Sequence, residues 1–170
     1  MLNLILFDSD ARSHLLPLTA TRPMGELRLG ILTLRGKWER RLRASASYIT
    51  QEHLQEKYPI RVEHENLIVN AGIVPTDALC QRIRQMDMNE ALLLQGELVA
   101  ARLDEARFEA LIEDEEVREL QGRELDSSIP VAQIQHLWDL VHLNGQALQA
   151  DFELLTQSRT SQRVPASNRV

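Results

Sequence analysis

The sequence predicts an α/β fold: a mostly parallel sheet flanked by helices. Two observations carry that prediction. Residues 2–7 (LNLILF) and 66–69 (NLIV) are short, continuous apolar runs of the kind buried on both faces of a sheet. Between such runs lie segments whose apolar residues recur at three- and four-residue steps, as in Leu27, Ile31, Leu34, Trp38 and Leu42. With aromatics at 4% of a 44% hydrophobic chain, the core must come mostly from Leu, Ile, Val and Ala.

Taken in order, residues 2–7 form a buried first strand stopped by the polar DSD at 8–10. A loop follows through Pro23. The helical spacing from Leu27 to Leu42 predicts one helix there, with Gly30 and Gly36 weakening its start. Residues 47–50 (SYIT) read as a short strand, and 51–58 as a short helix ended by Pro59. Residues 66–75 (NLIVNAGIVP) form a central strand entering a Gly turn. Thr76 then caps a helix over 77–86 that presents Leu79 and Ile83. The run 90–103 reads as a hairpin about Gln95-Gly96. Asp104 caps the next helix, with Ala106, Phe108, Leu111 and Ile112 along it, and Glu113 to Glu116 form a solvated acidic loop. A last helix spans about 131–155, interrupted at Asn144-Gly145. Domain organisation is thus one α/β domain over 1–156 and a polar linker or tail over 157–170.

The 170-residue chain carries a net charge of −6, which argues against general nucleic-acid binding. The charge is uneven. Between Arg12 and Arg43, eight Lys or Arg face two Glu, a net of +6 that leaves −12 for the rest. Such a local field suits a small anionic ligand, although a solvated basic helix face explains it equally well. No run has the apolar length of a membrane span, and a single cysteine, Cys80, fits a reducing, cytoplasmic setting. The five histidines show no metal-ligand spacing with Cys80, and no Gly-rich phosphate loop or dinucleotide fingerprint is present. Cys80, Trp38 and Trp138 sit in helical apolar patterns and are expected in the core.

Residues 15–38, LLPLTATRPMGELRLGILTLRGKW, carry the most specific signal. They resemble the signature of sugar nucleotidyltransferase-like N-terminal domains. That family includes a bacterial group labelled alternative N-acetylglucosamine-1-phosphate uridyltransferases. The resemblance continues through SYITQEHLQEKYP, NLIVNAGIVP, LWDLVHLNGQALQADFELLT and SNRV, so it spans nearly the whole chain in order. It implies a Rossmann-like fold, a nucleotide and a sugar-1-phosphate as ligands, and a left-handed β-helix following SNRV through which the protein would form homo-oligomers. LLPLTATRP is also similar to part of the pattern RLxPLTxxxPK of ordinary sugar-1-phosphate nucleotidyltransferases. The departures are specific. DSDARSH replaces the glycines that precede the pattern, Met24 replaces its lysine, and Ile73 stands where a magnesium-holding Asp is usual.

Nucleotidyl transfer requires two repelling anions to be aligned and charge on the departing pyrophosphate to be neutralised. Planar guanidinium groups suit that task. The resemblance therefore implies Arg22 and Lys37 as catalytic cations toward an NTP, UTP or dTTP. Thr19, Thr21, Arg28 and Arg35 are further candidates for nucleotide contacts, and Asn70 and Gly72 for the sugar side. Asp8 and Asp10, at the end of the first strand, are the nearest carboxylates for Mg²⁺, though an Asp there caps a loop equally well. Helix packing and capping explain Asp139, Asn144 and Asp151 as well as the family match does. The expected activity is transfer of a nucleotidyl group to a sugar-1-phosphate with release of pyrophosphate. The alternative is a degenerate, non-catalytic domain that binds a nucleotide sugar or scaffolds a neighbour.

Overall fold

A computed structural model of the chain describes residues 2–112, 121–160 and 162. Its centre is a six-stranded sheet in the order β4-β1-β5-β8-β7-β9. The strands are β1 (Asn3–Phe7), β4 (Ala46–Ile49), β5 (Glu65–Asn70), β7 (Glu90–Leu94), β8 (Glu97–Asp104) and β9 (Gln121–Glu124). β1 pairs in parallel with both β4 and β5, and β7 in parallel with β9. β8 alone runs against its neighbours. The sheet is mostly parallel and flanked by helices, as the sequence predicts.

The middles of β1 and β5 read as apolar runs because both faces of the sheet are covered there. On β1, Leu4 and Leu6 face one core while Ile5 faces the other, and Leu67, Val69 and Ile68 on β5 divide the same way. Helices α1 (Leu34–Leu42) and α3 (Asp77–Arg84) close the first face with Trp38, Leu34, Leu79 and Ile83, and the single turn α2 (Glu52–Gln55) falls between them in sequence. Helix α4 (Glu105–Ile112) closes the second with Phe108. Full burial of such side chains contributes about 1.5–3 kcal/mol each. Trp38 can be wholly buried because its indole Nε1–H donates to the Ile73 carbonyl at 3.0 Å. Cys80 is a core residue, and burial pushes its thiol up to about 11. Thr76 caps α3, its hydroxyl accepting from the Leu79 N–H at 3.2 Å. The β7–β8 hairpin turns at Gln95-Gly96, both at positive φ (53° and 82°), which matches the tightest hairpin turn.

Four expectations need correction. The helix predicted from Leu27 starts at Leu34. Before it lie β2 (Arg28–Leu29) and β3 (Leu32–Thr33), a small antiparallel hairpin. Gly30, at φ 74°, makes that turn, and a Cβ there would lie 2.8 Å from Asp151 Oδ2 and from the Ala147 backbone. Thr33 then caps α1, its hydroxyl accepting from the Gly36 N–H at 3.0 Å. The loop after β1 contains 3-10 turns at Asp10–Leu15 and Met24–Glu26. Within the predicted last helix, Ala132–Gln133 is instead a short strand, β10, paired with β6 (Ile73–Val74). Helices α5 (Leu137–His142) and α6 (Asn144–Thr156) follow, and they break at Leu143, one residue before Asn144. Trp138 is 57% exposed, so it is not a core residue. The acidic loop predicted at Glu113 to Glu116 lies outside the described residues.

Candidate functional site

β1 and β5 end side by side, with Phe7 opposite Asn70. In parallel sheets this end is where ligands bind. The chain leaves β1 at Asp8, whose buried carboxylate organises everything that follows. Its Oδ1 accepts the Met24 N–H at 2.7 Å. Its Oδ2 accepts the Thr50 hydroxyl at 2.6 Å and Arg12 Nε at 3.1 Å. Burial pushes the Asp8 pKa up, against the opposing pull of these three donors. Arg12 also donates to the Thr19 carbonyl, and the Thr19 hydroxyl donates back to the Arg12 carbonyl at 2.9 Å. The loop after β1 is thereby held by its own buried polar groups rather than by glycines.

Beside this loop lies a cavity of about 480 Å³. It is lined by Asp8, Asp10 and His14 after β1, by Asn70 at the end of β5, by Glu97 of β8, and by Gln133, Gln135 and His136 late in the chain. Asn70 is fixed by accepting the Gly72 N–H at 2.9 Å. Three aromatic rings form a ladder at the rim. His14 stacks on His136 with centroids 5.1 Å apart and planes within 4°. His136 stacks on Trp138 at 4.4 Å and 8°. Asp139 fixes this side of the rim: its Oδ2 accepts the N–H groups of Gln135 and His136 at 2.9 and 2.8 Å. Those donors hold the Asp139 carboxyl below its ordinary value, despite the opposing effect of burial.

The structure brings Asp8, Asp10 and Asn70 of the predicted residues together on the cavity and distributes the others. Gly72 lies behind it, where a Cβ would sit 2.8 Å from Met24 Cε and 3.2 Å from the Ile134 carbonyl. Its lack of a side chain serves packing. Thr19 is wholly buried within the loop, while Thr21 and Arg22 are exposed on its outer part. Arg22 makes no hydrogen bond or ion pair with the described residues. Arg28 donates to the Ile31 carbonyl, and Arg35 pairs with Glu26 at 3.0 Å. Lys37 is 3% exposed and pairs with Asp151 Oδ1 at 2.5 Å. Burial lowers its pKa, against the effect of that carboxylate. Lys37 is thus a buried counter-ion that ties α1 to α6.

The +6 segment therefore does not form one positive field. Its charges are divided among Asp8, Glu26 and Asp151 and a separate arginine-rich surface at Arg40, Arg41 and Arg43. Among the described residues, neither Lys nor Arg lines the cavity.

The three carboxylates of the cavity lining suit Mg²⁺ unequally. The Asp8 carboxylate is already engaged by three donors and its side chain is 4% exposed, so it is poorly placed as a ligand. Asp10 is exposed, and Glu97 spends one oxygen on Gln133 Nε2 at 3.0 Å. No cluster of three ligating side chains occurs among the described residues. One or two carboxylates plus phosphate oxygens and water are what Mg²⁺ on a nucleotide uses, so Asp10 and Glu97 fit that mode. Glu97, His14 and His136 were not legible as site residues. Glu97 and His136 arrive through topology alone. His14 has a signal, since the arginine opening the pattern RLxPLTxxxPK falls on it in His14-Leu15-Leu16-Pro17-Leu18-Thr19.

A family model described as sugar nucleotidyl transferase matches residues 4–160. No curated protein matches the chain in sequence. Among solved structures, a Bacillus anthracis chain assigned as a glucose-1-phosphate thymidylyltransferase aligns with a TM-score of 0.53 at 10% identity. That alignment covers 87% of this chain and 96% of the other, and it speaks for the fold. The CTP:phosphocholine cytidylyltransferase of Streptococcus pneumoniae aligns with a TM-score of 0.45 at 13% identity, over 85% and 98%. No helix among the described residues is long and apolar enough to cross a membrane.

Proposed function

The chain belongs to the sugar nucleotidyl transferase family, and from that premise we propose that it transfers a nucleotidyl group from an NTP to a sugar-1-phosphate. In that reaction a sugar-phosphate oxygen forms a bond to the α-phosphorus, and the bond from that phosphorus to pyrophosphate breaks. The cavity at the ends of β1 and β5 is the observation that supports this reading, since it stands where an α/β sheet presents a ligand. Asp10 and Glu97 would hold the Mg²⁺ that arrives with the triphosphate. When bound, that ion would neutralise charge on the phosphates. Asn70, its Oδ1 held by the Gly72 N–H, presents a fixed polar edge to the cavity. Arg22, with its free guanidinium on the outer loop, is assigned to the departing pyrophosphate. UTP with N-acetylglucosamine-1-phosphate is the pair to test first, and dTTP the second nucleotide.

Pyrophosphate release from UTP, dTTP and other NTPs against a panel of sugar-1-phosphates tests the reading. Turnover is expected with at least one pair, and Arg22→Ala should lower kcat by about a hundredfold. Absence of turnover across the panel would overturn it. One observation favours a second reading, a non-catalytic nucleotide-sugar-binding module: the cavity lining holds neither Lys nor Arg among the described residues. Calorimetric binding of a nucleotide sugar without turnover would select that module.

A further inference from the structure

A cavity that accepts a triphosphate needs fixed positive charge or its equivalent. This one lacks Lys and Arg among its described lining residues, yet it holds two imidazoles, His14 and His136. Both contribute to the lining while their rings stack at 5.1 Å with planes within 4°. Stacking occupies ring faces, so what the rings offer a ligand is their nitrogen-bearing edges. The two rings come from separate segments, the 3-10 turn after β1 and the segment after β10, and lie against each other, so one anion can meet both edges on the same side of the cavity. His136 is positioned from behind by Trp138 and by its N–H bond to Asp139. The charged groups around the pair are Asp8 with its partner Arg12, Asp10, Glu97, and Asp139 with His142 beyond it. Asp10 and Glu97 share the lining with the two rings, and Trp138 offers its π-face to His136.

We infer that His14 and His136 together form the phosphate-binding group of the cavity lining itself, contacting the triphosphate through ring N–H edges where that lining holds no guanidinium or ammonium group among the described residues. The inference rests on the nucleotidyl-transfer reading and names how that site takes its anion. It makes substrate affinity a function of pH in the range where imidazole changes charge.

The test is calorimetric binding of UTP and of inorganic tripolyphosphate, both with Mg²⁺, to the full chain. For one proton taken up, wild type should bind roughly tenfold tighter near pH 6 than near pH 8. Both anions titrate in this range, so variants are compared at the same pH. His14→Gln and His136→Gln should lose the tightening. His14→Arg should bind near pH 8 about as tightly as wild type does near pH 6, with a flattened profile. A purely structural role for the stack would not produce that rescue. If UTP binds and both glutamine variants keep the wild-type profile, the inference is overturned while nucleotide binding stands. If folded wild type binds no NTP at either pH, the functional reading falls with it.

Discussion

Two buried carboxylates hold the two halves of the signature stretch, and they do so for different ends. Asp8 takes the front half: it accepts the Met24 N–H, the Thr50 hydroxyl and Arg12. Asp151 takes the back half: its Oδ2 accepts the N–H groups of Ile31 and Leu32 at 2.9 and 3.0 Å, and Oδ1 pairs with Lys37. The chemistry is alike: each carboxylate accepts from two neutral donors and one cation, two backbone N–H groups for Asp151 and one N–H and one hydroxyl for Asp8. The reach differs. Asp8 binds within the first fifty residues and stands in the cavity wall. Asp151 comes from α6, 114 positions from Lys37, and is absent from that wall. One anchor shapes a site and the other closes the fold, and each already engages one cation of the basic segment, Arg12 and Lys37.

The largest way to break the comparison is Asp151→Ala. It leaves an ammonium buried without its partner and strips two backbone donors, which should cost about 3–5 kcal/mol. Urea unfolding measures it, and a loss below ~1 kcal/mol would show that Lys37 escapes to water. Next is Asp8→Asn, which keeps one acceptor but places an amide against other donors, at about 1–3 kcal/mol. Its pH dependence sharpens the contrast. The folded-state pKa of Asp8 lies above its ordinary 3.8, so the native state binds more protons just above that pH. The stability contributed by this group is then present below 3.8 and lost as pH rises through the raised value. The gap between wild type and Asp8→Asn should therefore narrow as pH climbs through that window, and a gap that widens would reverse the assignment. The smallest effect is expected from Arg35→Ala. Its pair with Glu26 belongs to the same stretch, but the arginine side chain is 40% exposed. Thermal melts should show a loss under about 1 kcal/mol.

The sheet was legible because strands buried on both faces leave continuous apolar runs, and Leu2 to Phe7 is such a run. The family was legible from residues 15–38 for a related reason: local order carries that motif. What failed had a tertiary cause. Leu27 and Ile31 fit helical spacing, but contacts of Gly30 with Ala147 and Asp151 make a hairpin there. Lys37 looked like a ligand-facing cation because its counter-ion lies on a helix far along the chain. Glu97 and His136 reach the cavity through a hairpin and a late strand, and neither leaves a local pattern. Asp10 and Asn70 were legible as cavity residues because they sit at strand ends, where position in sequence fixes position in space.

The two tryptophans occupy opposite environments, and this gives the molecule two optical channels. Trp38 is sealed in the core, so its emission should be blue-shifted and out of reach of iodide. Trp138 is open to water at the end of the histidine ladder, so its emission should be red-shifted, reachable by iodide, and dimmed by a charged imidazole beside it. Loss of the core and events at the cavity rim can then be followed separately by wavelength, without a label.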